Sequence, residues 1–143
     1  IAVSQKRHCR ILHFTDIVER IDDFTGEIPD TNRVIDCIEK FYNGGSTSFT
    51  AALTGALASI RQYEQTKKAD VILITDGLDS PSTQFIEQWQ TDRKKYEFSC
   101  YGILISSGNL ITYASTISNL CDRYVQLTDL TEDSEVSDCL YSI

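Results

Sequence analysis

The 143-residue sequence contains no methionine, not even at position 1. That absence fits an incomplete or processed chain, so the lack of a signal peptide at Ile1 is weak evidence about secretion. No apolar stretch approaches the roughly 18 residues that a membrane-spanning helix needs, and a bilayer is not an expected partner. Basic residues are few: 13 Lys and Arg stand against 21 Asp and Glu, a formal net charge of −8. Nucleic acids and anionic membranes both reward clustered Lys and Arg, so the acidic balance argues against either and favours cations or basic protein surfaces. The phosphate-cradling glycine patterns are also missing. There is no Gly-x-Gly-x-x-Gly and no Gly-x-x-x-x-Gly-Lys-Ser/Thr, and Gly44-Gly45 lies between two expected helices, so a backbone nest for dinucleotides or nucleoside triphosphates is not signalled. A Gly-x-Ser-x-Gly nucleophile elbow is absent too.

The five cysteines, Cys9, Cys37, Cys100, Cys121 and Cys139, are odd in number and widely spaced, with no Cys-x-x-Cys among them. Neither a disulfide framework nor a zinc knuckle is signalled, and a reducing, cytoplasmic compartment is the simpler expectation. Cys37 and Cys100 fall in apolar-periodic segments, where a small buried thiol is expected in preference to a nucleophile. Neither His8 nor His13 has a suitable partner in the local sequence for a Cys–His pair, which leaves only a long-range pair open.

What is present is an alternation of strand-like and helix-like periods in a chain of ordinary globular composition, 41% apolar and 24% charged. Cys9 to Asp16 and Ile17 to Phe24 read as a β-hairpin. Asp30 can cap a helix in which Val34, Ile35, Ile38 and Phe41 form the apolar stripe through Tyr42. A second helix is expected from Phe49 to about Gln65, with Ala51, Ala52, Gly55 and Ala56 allowing close packing on a sheet. Val71 to Thr75 reads as a strand buried on both faces. Ser80-Pro81 offers a cap and first-turn proline for a helix ending in Arg93-Lys94-Lys95. A strand at Phe98 to Ser106, a helix at Leu110 to Asn119, a strand at Arg123 to Leu127 and a helix at Glu132 to Tyr141 complete the pattern. Strands separated by helices predict an α/β fold, a doubly wound, mainly parallel sheet with helices on both faces and an antiparallel edge strand, in one domain spanning 1–143.

The chemistry concentrates in two segments. Gly44-Gly45-Ser46-Thr47-Ser48 runs into the second helix, and Val71-Ile72-Leu73-Ile74-Thr75 ends in Asp76-Gly77. Thr47 at a helix start and Asp76 at the carboxyl end of a strand offer two hard oxygen donors where ligands of open α/β sheets bind, which suits Mg²⁺ or Mn²⁺. The plainer alternative makes Thr47 a helix cap and Asp76 the start of a turn with Gly77. Asp79, three residues on, offers a second carboxylate for metal-dependent hydrolysis or phosphoryl transfer, or a simple turn residue beside Ser80.

These segments resemble the second and third segments of the metal-ion-dependent adhesion site of von Willebrand factor type A domains, the run Arg10 to Asp16 with its Phe14-Thr15 ending resembles that family's second strand, and nearly the whole chain is covered. The resemblance implies a protein-interaction module and no enzyme. Thr47 and Asp76 would hold Mg²⁺ or Mn²⁺, with Ser46, Ser48, Gly77 and Asp79 as neighbouring loop candidates, and a carboxylate from a protein partner would fill an open coordination position. Two departures stand out. The family's Asp-x-Ser-x-Ser segment occurs nowhere, so the first strand is expected to lie upstream or to come from another segment, and metal binding by this chain alone is expected to be weak or absent. Ser48 also stands where the family often has Asp. Among intracellular members the likeness is to adaptors of MoxR-type AAA+ ATPases; the alternatives are a metal-dependent hydrolase using Asp76 and Asp79, or an extracellular adhesion module.

Overall fold

A computed structural model describes residues 7–25, 29–40, 42, 45–62, 69–76, 79–105 and 111–127. The chain divides into two compact units, Ile1–Lys67 and Lys68–Ile143. The fold is mixed α/β, with an antiparallel strand pair in the first unit and a three-stranded parallel sheet in the second.

In the first unit β1 (Cys9–Phe14) and β2 (Val18–Phe24) form the expected hairpin, with His13 opposite Arg20 and Ile11 opposite Asp22. Side chains alternate between the faces of a strand, so His13, Arg20 and Asp22 share one face and Leu12 points to the other, while a register shift between His13 and Phe14 sets Val18 opposite Phe14 and brings it to the Leu12 face. On the His13 face lies α1 (Thr31–Glu39), capped by Asp30, whose side chain accepts from the Asn32 N–H. On the Leu12 face lies α2 (Phe49–Gln62). A Cβ added at Gly55 would sit 3.0 Å from both Leu12 and Val18, so the small residue sets the close approach of α2 to the ribbon.

The α1 stripe differs from the expected one. Ile35 and Ile38 are exposed, at 43% and 76%, and Cys37 is the buried residue at 3%. The helix is turned so that Asp36 and Cys37 meet Arg20 and His13 of the ribbon, a polar docking that apolar spacing does not register. It also stops at Glu39, with Lys40 extended, short of Tyr42. Phe41 lies outside the described residues.

In the second unit β3 (Val71–Thr75), β4 (Cys100–Ile105) and β5 (Arg123–Leu127) pair in parallel in that order. Their crossovers contain α3 (Thr83–Tyr96) and α4 (Ile111–Leu120). Leu73, Gly102 and Tyr124 share a face, against which Ile117 of α4 packs. The α3 helix is fastened to the end of α4: the Trp89 indole donates to the Leu120 carbonyl at 2.9 Å, Arg93 to the same oxygen at 3.0 Å, and Gln90 to Asn119 at 3.0 Å. Arg93 also pairs with Asp122, whose carboxylate accepts from the Cys100 N–H.

Two sequence expectations change here. β3 is buried on one face only: Leu73 and Thr75 are buried, while Ile72 and Ile74 on the other face are exposed at 51% and 54%. The cap of α3 is Ser82, which accepts from the Phe85 N–H, because the helix begins at Thr83, beyond the reach of a Ser80 cap. The helix expected at Glu132 to Tyr141 lies outside the described residues.

Gly102 leaves no room for a side chain: an added Cβ would stand 2.7 Å from Ile117 and 2.9 Å from Tyr124. Gly102→Ala should therefore cost about 1–3 kcal/mol through overpacking, read as a lower midpoint in urea unfolding.

Candidate functional site

Of the residues expected to hold a metal, Thr47 lies in the loop before α2 in the first unit and Asp76 lies in the second. The Ser48 N–H donates to the Thr15 carbonyl just beyond β1, at 2.8 Å, so the loop carrying Ser46, Thr47 and Ser48 is tied to that strand end. Ser48, not Thr47, caps α2: its hydroxyl accepts from the Ala51 N–H at 3.2 Å. Thr47 is half-buried and Ser46 exposed. In the second unit Asp76 follows β3 directly and is exposed. Asp79 uses one carboxylate oxygen on the Ser80 N–H, a turn role. Gly77 lies outside the described residues.

A second cluster, not foreseen as a site, lies in the first unit. His13 from β1, Asp22 from β2 and Cys37 from α1 bring three ligand atoms within 4.8 Å of one another. His13 Nε2 is 3.0 Å from Asp22 Oδ2 and 3.4 Å from Cys37 Sγ. This is the long-range Cys–His pair that the sequence left open. The hairpin register sets Asp22 diagonal to His13, and the rotation of α1 turns Cys37 down onto them. The Tyr42 ring lies 5.8 Å from the His13 ring, and its buried hydroxyl has no hydrogen-bond partner among the described residues.

Charged neighbours tune the cluster. Arg20 donates at 2.7 Å to Asp22 Oδ1 and, at the same distance, to Asp36. Burial alone would push the Asp22 carboxyl up; Arg20, then His13 and Cys37, outweigh it and hold the group below the usual carboxylate range. Burial, then the Asp22 charge, pushes the Cys37 thiol above its ordinary value, so it is protonated at neutral pH. A Cys–His–Asp relay needs thiol and carboxylate on opposite imidazole nitrogens and an activated thiol. Here one nitrogen faces both partners, an arrangement suited to converging on an ion.

Among the described residues no helix is long and apolar enough to cross a membrane. No protein-family model matches the chain. Over 96 residues it is 25% identical to an uncharacterized protein of Methanocaldococcus jannaschii, a match covering 67% of this chain and 21% of that protein. The chain thus spans about a fifth of that relative's length, and the functional reading rests on its own residues.

Proposed function

We propose that the chain is a metal-dependent protein-interaction module of the von Willebrand factor type A kind, with a doubly wound sheet and an incomplete adhesion site on Thr47 and Asp76. The reading is supported within each unit by itself: in the first the Thr47 loop is tied to the chain just beyond β1, and in the second Asp76 follows the carboxyl end of a parallel strand, where ligands of open α/β sheets bind. Because Ser48 supplies the α2 cap, that helix does not consume the Thr47 hydroxyl. In this reading a further strand with the Asp-x-Ser-x-Ser segment pairs beside β3, which lies at the edge of the sheet among the described residues. The ion is Mg²⁺ or Mn²⁺, and a partner carboxylate completes its octahedron. The described cysteines are free thiols, which supports an intracellular adaptor, such as one serving a MoxR-type AAA+ ATPase, over an extracellular adhesion module.

Capture of partners from cell extract tests the reading. In a longer protein that carries the Asp-x-Ser-x-Ser strand, the wild type should retain a partner in Mg²⁺ and release it in chelator, whereas Asp76→Ala should fail in both conditions with its circular dichroism unchanged. Capture indifferent to chelator and substitution overturns the proposal. Loss of small-substrate turnover with protein contacts intact would instead identify the hydrolase.

A further inference from the structure

We propose that His13, Asp22 and Cys37 form a binding site for Zn²⁺, separate from the oxygen-donor site on Thr47 and Asp76, that fastens α1 to the β1–β2 ribbon. Zn–N bonds of about 2.0 Å and Zn–S bonds of about 2.3 Å at a tetrahedral angle put nitrogen and sulfur roughly 3.5 Å apart. His13 Nε2 and Cys37 Sγ are 3.4 Å apart, and Asp22 Oδ2 is 3.0 Å from the same nitrogen, so the donors are nearly in place. Cys37 and Asp22 are 3% and 6% exposed, which keeps competing water away. Arg20 grips Asp22 Oδ1 and leaves Oδ2 turned to His13, the outer-layer support that orients a ligating carboxylate.

Charge supports a divalent ion. Arg20, Asp22 and Asp36 together carry one net negative charge. Binding sends the Cys37 proton to solvent and forms the sulfur–metal bond, after which Zn²⁺, the thiolate and these neighbours sum to zero. A nitrogen, oxygen and sulfur set selects a borderline ion over Mg²⁺ or Ca²⁺. With three protein ligands, the fourth tetrahedral position falls to water.

The fold supplies a reason for such a clamp. α1 has nine residues, too few for stability on its own, and among its side chains only Cys37 is buried while Ile35 and Ile38 face outward. An ion held by β1, β2 and α1 would supply the anchorage that the apolar residues do not.

Co²⁺ titrated into the chelator-stripped chain should bind at one equivalent, with thiolate-to-cobalt charge-transfer absorption that Zn²⁺ abolishes and excess Mg²⁺ leaves intact. Cys37→Ser should lose the band and Cys100→Ala should keep it. Absence of the band, or its survival in Cys37→Ser, overturns the proposal. Alkylation of the wild-type chain, mapped by mass spectrometry, covers the case in which Cys37→Ser does not fold. Zn²⁺ at about 100 times its Kd should slow modification of Cys37 about 100-fold. Unchanged Cys37 modification under those conditions counts against the site as surely as a missing band.

Discussion

Asp22→Ala is expected to lower the unfolding free energy by about 1–3 kcal/mol, because it strips a buried carboxylate from hydrogen bonds to Arg20 and His13 and leaves those donors facing a void. The same substitution should blunt acid unfolding. Asp22 and Asp23 both sit below the usual carboxylate range in the folded chain, Asp23 chiefly through its two hydrogen bonds from Arg10. A carboxylate so depressed adds stability that is fully present above the unfolded-state value of about 3.9 and is lost as pH falls through the lower folded value. In that window the unfolded chain binds the proton first. Wild-type stability should therefore drop below about pH 4, and the Asp22→Ala curve should be shallower there, with Asp23 still titrating. Urea midpoints between pH 7 and pH 3 measure both effects. Parallel pH curves for the two proteins would remove Asp22 from the account.

Mg²⁺ affinity should differ sharply between the 143-residue chain and a longer protein that carries an Asp-x-Ser-x-Ser strand. On the type A reading, Thr47 and Asp76 supply only part of an octahedron, and the missing Asp and two hydroxyls are half of the inner ligands. Mg²⁺ dehydrates reluctantly and needs near-ideal geometry, so partial sites bind it poorly. Calorimetry should show clear Mg²⁺ or Mn²⁺ binding to the longer protein, lost on Thr47→Ala or Asp76→Ala, and little or no heat from the 143 residues alone. Tight binding by the short chain would show that the missing segment is unnecessary.

The elements that were legible in the sequence are those whose signals are local. The hairpin follows from two adjacent β-rich runs, Asp30 caps α1 because a short acidic side chain precedes a periodic segment, and the apolar run Val71–Thr75 forms the expected strand. Errors arose where a neighbour decides. Ser80 and Ser82 are equally good caps by type, and the start of the helix at Thr83 gives the role to Ser82. Ile35 and Ile38 carry the stronger apolar spacing, yet Arg20 pairing with Asp36 turns the other side of α1 inward. The His13–Asp22–Cys37 cluster was hidden for the same reason. Its members stand nine and fifteen residues apart in successive elements, and no fixed spacing announces a site assembled by strand register and helix rotation. Once the hairpin is recognised, the diagonal of His13 and Asp22 is a usable signal; the contribution of Cys37 requires three dimensions.

The two kinds of strand pairing also set an order in time. In the ribbon His13 meets Arg20 at a separation of seven residues, whereas Val71 meets Cys100 at a separation of 29. Closing the longer loop costs more chain entropy before any contact rewards it, so pairing of distant strands is the slower event. On a ribosome the hairpin can zip as soon as Phe24 clears the exit, while β3 must wait with its apolar side chains uncovered until β4 has been synthesised. That interval, more than any property of the finished fold, is when the nascent chain is most exposed to aggregation and most in need of a chaperone.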